Sequence, residues 1–250
     1  MQRSHARPAS SPDLSGLRGF SPDRFGGMLS RDPVKIPSEW LESGAPPLEI
    51  DFGCHRGTFL VGMATRHPGV NFLGIEKQRH RVARCQAKIV RAGLLNGWAI
   101  CGEGSDVLRE MIPDGVVGTF HLSFPDPWPK RRHAGRRVFN PEFFYEIWRI
   151  LRPGGVLRLM TDDAGYFQEM VRTVPAEWLE TVWDDGRESV RTTFEVTFRE
   201  RGHEPFCRAV VRPAINPPER DPEPRRDGDA GQPASEWPGL PAKEVRGGPQ

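Results

Sequence analysis

Five short apolar runs, each followed by a stretch suited to a helix, constrain this chain more than any other feature. The runs are Pro46–Phe52, Val70–Ile75, Trp98–Cys101, Gly118–Phe124 and Val156–Thr161. Short apolar runs of this kind are expected of parallel strands buried on both sides. The intervening segments Thr58–Arg66, Gln78–Ala92, Asp106–Met111, Pro141–Leu151 and Ala164–Val174 read as helices. Strand alternating with helix predicts an α/β fold, a Rossmann-like doubly wound and mostly parallel sheet. Beyond Trp183 the segments RTTFEVTFRERG and FCRAVVRP read as two β-rich stretches joined around Gly202, an antiparallel addition at the C-terminal edge.

The ends differ from this middle. From Pro213 onward there are nine prolines in 38 residues, mixed with charge and glycine, a composition that cannot bury enough apolar surface to offset chain entropy. Residues 213–250 are expected to be a disordered Pro-rich tail, residues 1–40 a flexible arm, and 41–212 the folded domain. A net charge of +2 gives no general affinity for polyanions, so only a local basic cluster can supply one. Cys54, Cys85, Cys101 and Cys207 form no Cys-x-x-Cys pair, which argues against a zinc site or a disulfide framework and for reduced thiols. With no apolar run of about 18 residues and no signal-like N-terminus, a soluble cytoplasmic protein without a membrane partner is expected.

Ligands of such a sheet bind beyond the carboxyl ends of its strands. After the first strand, Gly53 and Gly57 bracket a tight turn into a helix, where missing side chains let a ligand approach open amides. Glu76 ends the second strand 19 residues past Gly57, the spacing at which a carboxylate meets a ribose hydroxyl pair. Glu103 follows the third strand and is placed to accept from an adenine amino group. Together they describe a pocket for an adenosine-bearing ligand, in a dehydrogenase or a methyltransferase alike.

The fourth strand separates these. It runs into FPDPWPK, where Asp126 is fixed between two prolines and its carboxylate is aimed. Arg131, Arg132, His133, Arg136 and Arg137 follow within eight residues of Lys130. Arg84, Lys88 and Arg91 share one side of the helix after Glu76 and read as a solvated face.

FPDPWPK with its basic run, GIE after the second strand, MIPDG before the fourth, PGG at 153–155, TDD at 161–163 and TTFE at 192–195 resemble the bacterial tRNA (guanine-N7-)-methyltransferases of the TrmB type, over about residues 46–212. That resemblance implies the class I methyltransferase fold, S-adenosyl-L-methionine as cofactor, tRNA as partner and no metal. It implies that Asp51, Glu76 and Glu103 contact the cofactor and that Asp126 is the catalytic acid, also touching cofactor. It further implies substrate contacts from Lys130, Asp162, Thr192, Thr193, Phe194 and Glu195, and RNA-backbone contacts from the segment holding Arg132, His133, Arg136 and Arg137. Two positions depart from the family pattern: His55 stands on the middle glycine of the first turn, and Glu103 where Asp or Asn is usual. Shifting the alignment of that turn by two gives the acidic role to Glu49 instead of Asp51.

Guanine N7 is already nucleophilic, so methylation there needs alignment more than deprotonation, and the resemblance assigns Asp126 an orienting and electrostatic role. Methylation of another RNA or a small molecule, a nicotinamide-dependent reaction, and a non-catalytic RNA-binding module on the same fold remain alternatives.

Overall fold

The computed structural model describes residues 35–129, 131–183 and 190–214. Residues 1–34, Lys130 and the tail from 215 onward lie outside the described residues. Among the described residues seven strands form one sheet, β1 (Leu48–Phe52), β2 (Asn71–Glu76), β3 (Gly97–Cys101), β4 (Val117–Ser123), β5 (Leu151–Thr161), β6 (Leu179–Glu180) and β7 (Phe206–Val211), in the order β3-β2-β1-β4-β5-β7-β6. Pairing from β3 through to β5 is parallel. Strand β7 lies antiparallel to both β5 and β6, which makes the expected antiparallel edge.

Among the described residues six α-helices connect and flank the strands: α1 (Thr58–Arg66), α2 (Arg79–Arg91), α3 (Gly104–Met111), α4 (Pro141–Ile150), α5 (Ala164–Thr173) and α6 (Thr193–Glu200). The chain moves outward from β1 to β3, then jumps back to β4 and moves outward the other way. With right-handed crossovers throughout, that reversal puts α1 and α2 on one face of the sheet and α3 and α4 on the other. The central strands are buried along almost their full length, with Leu48, Ile50, Leu73, Phe120, Leu157 and Leu159 no more than 1% exposed. This is why they read as short, mainly apolar runs.

Two expectations are corrected. The segment from Thr192 to Glu200, read as β-rich, is the helix α6. Its β-branched and aromatic residues favour a strand on propensity, but Thr192 caps the helix by accepting a hydrogen bond from the Glu195 backbone N–H at 3.0 Å. Thr-x-x-Glu is a helix-start signature, and here it prevails over propensity. Second, the chain enters the core at Ile36, inside the stretch read as an arm. Ile36 and Trp40 are 7% and 3% exposed, and Trp40 meets Trp98 edge-on with ring centroids 6.5 Å apart. Two isolated apolar side chains, with Trp40 on the short turn Ser38–Trp40, carry no period for a sequence reading to find.

If this cap holds α6, Thr192→Ala lowers stability by about 1 kcal/mol, read as a shift of the urea midpoint at constant slope, while Thr192→Ser leaves it near the original value.

Candidate functional site

At the switch point the turn after β1 alternates left-handed residues: Gly53, His55 and Gly57 have φ of 76°, 52° and 70°. Amides of Gly53 and Cys54 both donate to the Ile75 carbonyl, at 2.8 and 3.1 Å, which ties the turn to the end of β2. At Gly57 the demand for glycine is also spatial, because a Cβ there would stand 2.2 Å from Cys85 Sγ on α2. A Cβ at Gly53 would meet nothing within 4 Å, so the peptide there faces open space. His55, half-buried, takes the left-handed conformation that a non-glycine residue adopts at a cost. Burial, with the Arg81 and Arg56 charges behind it, holds its imidazole below the ordinary histidine range.

Glu49 and Asp51 are both buried on β1, at 3% and 5% exposure, and their environments differ. Glu49 Oε2 lies 2.8 Å from His121 Nε2 on β4, and the Phe59 ring lies edge-on to the same imidazole at 5.0 Å. Glu49 is thereby part of the weld between the two central strands. Asp51 Oδ2 is buried with no hydrogen-bond partner among the described residues. Burial, and after it the nearby Glu76 carboxylate, push the Asp51 carboxyl up to about 7. A buried oxygen without a donor is costly, and this one stands where the sheet opens.

Glu76 ends β2, buried, with Oε1 accepting from the Gln78 backbone N–H at 2.9 Å and Oε2 lying 3.6 Å from Arg81. Glu103 occupies the N-cap position of α3, exposed, and its side chain makes no capping hydrogen bond. The three carboxylates therefore stand at the ends of three adjacent strands, β1, β2 and β3.

The loop after β4 is the second wall. Phe124 and Trp128 flank Pro125-Asp126-Pro127 with φ of 51° and 42°, so the only non-glycine left-handed residues among those described are these two and His55. Asp126 is exposed and Pro125 buried. Trp128 organises the basic run: His133 packs edge-on to its indole at 5.7 Å, and the Arg136 guanidinium lies 5.1 Å from the ring centroid. Arg132 and Arg136 are exposed. Arg137 instead turns inward, donating from Nε to the Pro127 carbonyl at 2.6 Å and pairing with Glu169. Lys130 lies outside the described residues.

Beyond β5, Thr161 and Asp163 are used locally: Thr161 Oγ1 accepts from the Asp163 N–H at 3.2 Å, and Asp163 caps α5 by accepting from Tyr166 N at 2.7 Å. Asp162 lies half-buried between them. Helix α6 closes the arrangement. Thr193 Oγ1 is 3.0 Å from Thr58 Oγ1 at the first residue of α1, and Lys88 Nζ donates to the same Thr58 oxygen at 3.1 Å. Of the basic face on α2, Lys88 is thus engaged, while Arg84 and Arg91 are exposed as expected. Phe194, 50% exposed, packs on Phe124 at 4.6 Å, and Glu195 is buried beneath, bonded to Arg199 at 3.0 Å. The structure so joins TTFE to both the β1 turn and the β4 loop. Neither Phe124 nor Thr58 was singled out by sequence, because their partners lie far along the chain.

Residues 45–206 match the family model described as "Putative methyltransferase". The tRNA (guanine-N(7)-)-methyltransferase of Limosilactobacillus reuteri is 34% identical over 185 residues, spanning 70% of this chain and 86% of that protein. The protein of the same name from Aliivibrio salmonicida is 37% identical over 181 residues, covering 69% and 76%. Among solved structures, the 16S rRNA methyltransferase KamB superposes with a TM-score of 0.51 at 16% identity, over 70% of this chain and 90% of that one, a likeness of fold.

The orphaned Asp51 oxygen makes a prediction about the free protein. A carboxyl whose folded pKa is raised to about 7 stabilises fully only below its unfolded pKa of 3.8, and that stability is lost as pH rises to about 7. Asp51→Asn, neutral throughout, is therefore expected to melt with the wild type near pH 4 and increasingly above it up to pH 7, with a constant margin beyond. Thermal melts across that range in the absence of ligand read this directly; a margin independent of pH contradicts it.

Proposed function

Since the chain belongs to the tRNA (guanine-N(7)-)-methyltransferase family, we propose that it transfers a methyl group from S-adenosylmethionine to N7 of a guanine in tRNA, through the domain whose core begins at Ile36, in the cytoplasm. The observation that carries the cofactor assignment is the buried, unpartnered Oδ2 of Asp51, which a hydroxyl donor of a ligand at the mouth of β1 would satisfy. Open backbone at Gly53 and the Glu76 and Glu103 carboxylates at the next two strand ends suit a ligand bearing ribose and adenine. Glu49, held by His121, is the poorer candidate for that acid. Asp51, Gly53, Gly57, Glu76 and Glu103 are accordingly the cofactor-binding residues, with Asp126 at the boundary.

When bound, S-adenosylmethionine supplies a methyl group on positively charged sulfur. The protein's own part is alignment and charge. Guanine N7 would form its bond to the methyl carbon through an in-plane lone pair as the carbon–sulfur bond breaks, so the protein has to present that edge of the ring to the methyl group, and no base has to remove a proton first. Asp126, fixed between prolines, orients the purine and offsets the positive charge that builds on it. Phe194 and Phe124 present an aromatic surface beside that loop, against which a base turned out of its tRNA contacts can stack. Asp162, Thr192, Thr193, Glu195 and Lys130 complete the substrate side. His133 and Arg136, packed on Trp128, together with Arg132, hold the RNA backbone without reading sequence.

Nucleoside analysis of tRNA incubated with the protein and labelled S-adenosylmethionine is expected to show 7-methylguanosine; label on another base, or none, overturns the reading. Asp126→Ala should lower turnover by about a hundredfold or more with tRNA affinity nearly intact. Arg132→Ala combined with Arg136→Ala should instead weaken tRNA binding and flatten its salt dependence, by about 0.7–0.9 in logarithmic slope for each phosphate left without its cation.

A further inference from the structure

Within the basic run, Arg137 does something the other members do not. Its Nε donates to the Pro127 carbonyl at 2.6 Å, its guanidinium pairs with Glu169 on α5, and its Cζ lies 5.0 Å from the Tyr166 ring centroid. The side chain is 13% exposed, against the exposed Arg132 and Arg136. Tyr166 is itself fully buried and accepts from the Phe139 backbone N–H at 3.0 Å. Arg137 therefore rests on a rigid platform and has its donors directed at protein, which makes it poorly suited to a phosphate.

The loop it grips cannot secure itself. Pro125, Pro127 and Pro129 have no backbone N–H, so the segment that carries Asp126 lacks most of the donors that would tie it to a neighbouring strand. Trp128, between two of these prolines, is in a left-handed conformation at φ 42°, which persists only when surroundings hold it. The Pro127 carbonyl belongs to the peptide joining Pro127 to Trp128, one residue past Asp126. A planar guanidinium holds that carbonyl with one nitrogen and a carboxylate with another in a fixed geometry, which the single nitrogen of a lysine on its flexible stem does not reproduce.

We propose that Arg137 is a positioning residue for Asp126: through the Pro127 carbonyl, and anchored by Glu169 and Tyr166, it fixes the Pro125–Trp128 loop so that the Asp126 carboxylate meets the purine in one orientation. This role replaces the RNA-backbone contact that resemblance gives Arg137, and it rests on the functional reading above. Asp126 remains the residue that touches substrate; Arg137 acts through it.

The test compares wild type, Arg137→Lys and Glu169→Gln in single-turnover methylation of tRNA at saturating S-adenosylmethionine, with tRNA affinity measured across salt concentrations. Arg137→Lys keeps the positive charge and loses the fork. It is expected to reduce the methylation rate at saturating tRNA by about tenfold to a hundredfold, with tRNA affinity and salt slope unchanged. Glu169→Gln leaves Arg137 in place but loosens its anchor, and is expected to move the rate in the same direction by less, which covers the case in which the Arg137 variant fails to fold. Arg136→Ala is the reference for a phosphate contact, with reduced affinity and a shallower salt slope. A wild-type rate in either folded variant, or an affinity and slope reduction in Arg137→Lys like that of Arg136→Ala, overturns the positioning role. Failure of the wild type to make 7-methylguanosine counts instead against the functional reading, and the two failures are thereby distinct.

Discussion

The reversal of strand order between β1 and β4 is the constraint from which the site follows. Helices leave these neighbouring strands toward opposite faces, so nothing built by the crossovers covers the gap at their carboxyl ends. The buried Glu49–His121 contact, at 2.8 Å, holds the two strands together just below that gap. A buried pair of this kind is costly to assemble and costlier to break, which suits it to fixing the register of strands on either side of a cleft. The orphaned Asp51 and the proline-bounded Asp126 are carried on the two strands it joins.

The two walls of the cleft are stiffened by different means. The β1 turn is held by geometry that glycine permits, with its amides on Ile75 and Gly57 pressed against Cys85. The β4 loop is held by proline, which removes freedom and donors together, and must then borrow donors from Arg137. The cations after FPDPWPK consequently divide in two: Arg132 and Arg136 are exposed, and Arg137 faces inward onto the preceding proline loop.

Much of this was legible in the sequence. Buried parallel strands are apolar on both faces, so β1 to β5 announce themselves as short runs, and the residues at their ends follow from topology alone. Propensity misled at α6, where Thr193, Phe194, Val196, Thr197 and Phe198 look like a strand although the Thr192–Glu195 cap was written in the same residues. The Glu49–His121 contact joins residues 72 apart, and no local pattern can pair them; the different surroundings of Glu49 and Asp51 are visible only in three dimensions. Direction is similarly invisible along a run of arginines: Arg136 and Arg137 are adjacent, and one covers an indole while the other crosses to a carbonyl and a glutamate.

The close approach of Gly57 to Cys85 ties a chemical reactivity to a local opening. Cys85 is completely buried, its sulfur occupying the space that any side chain at 57 would need. An alkylating reagent reaches that thiol only when the start of α1 lifts from α2, so the rate of modification counts how often the turn beside Asp51 comes apart. The half-exposed Cys101 and Cys207 need no such event. One molecule thus carries both a clock for the turn after β1 and its own reference.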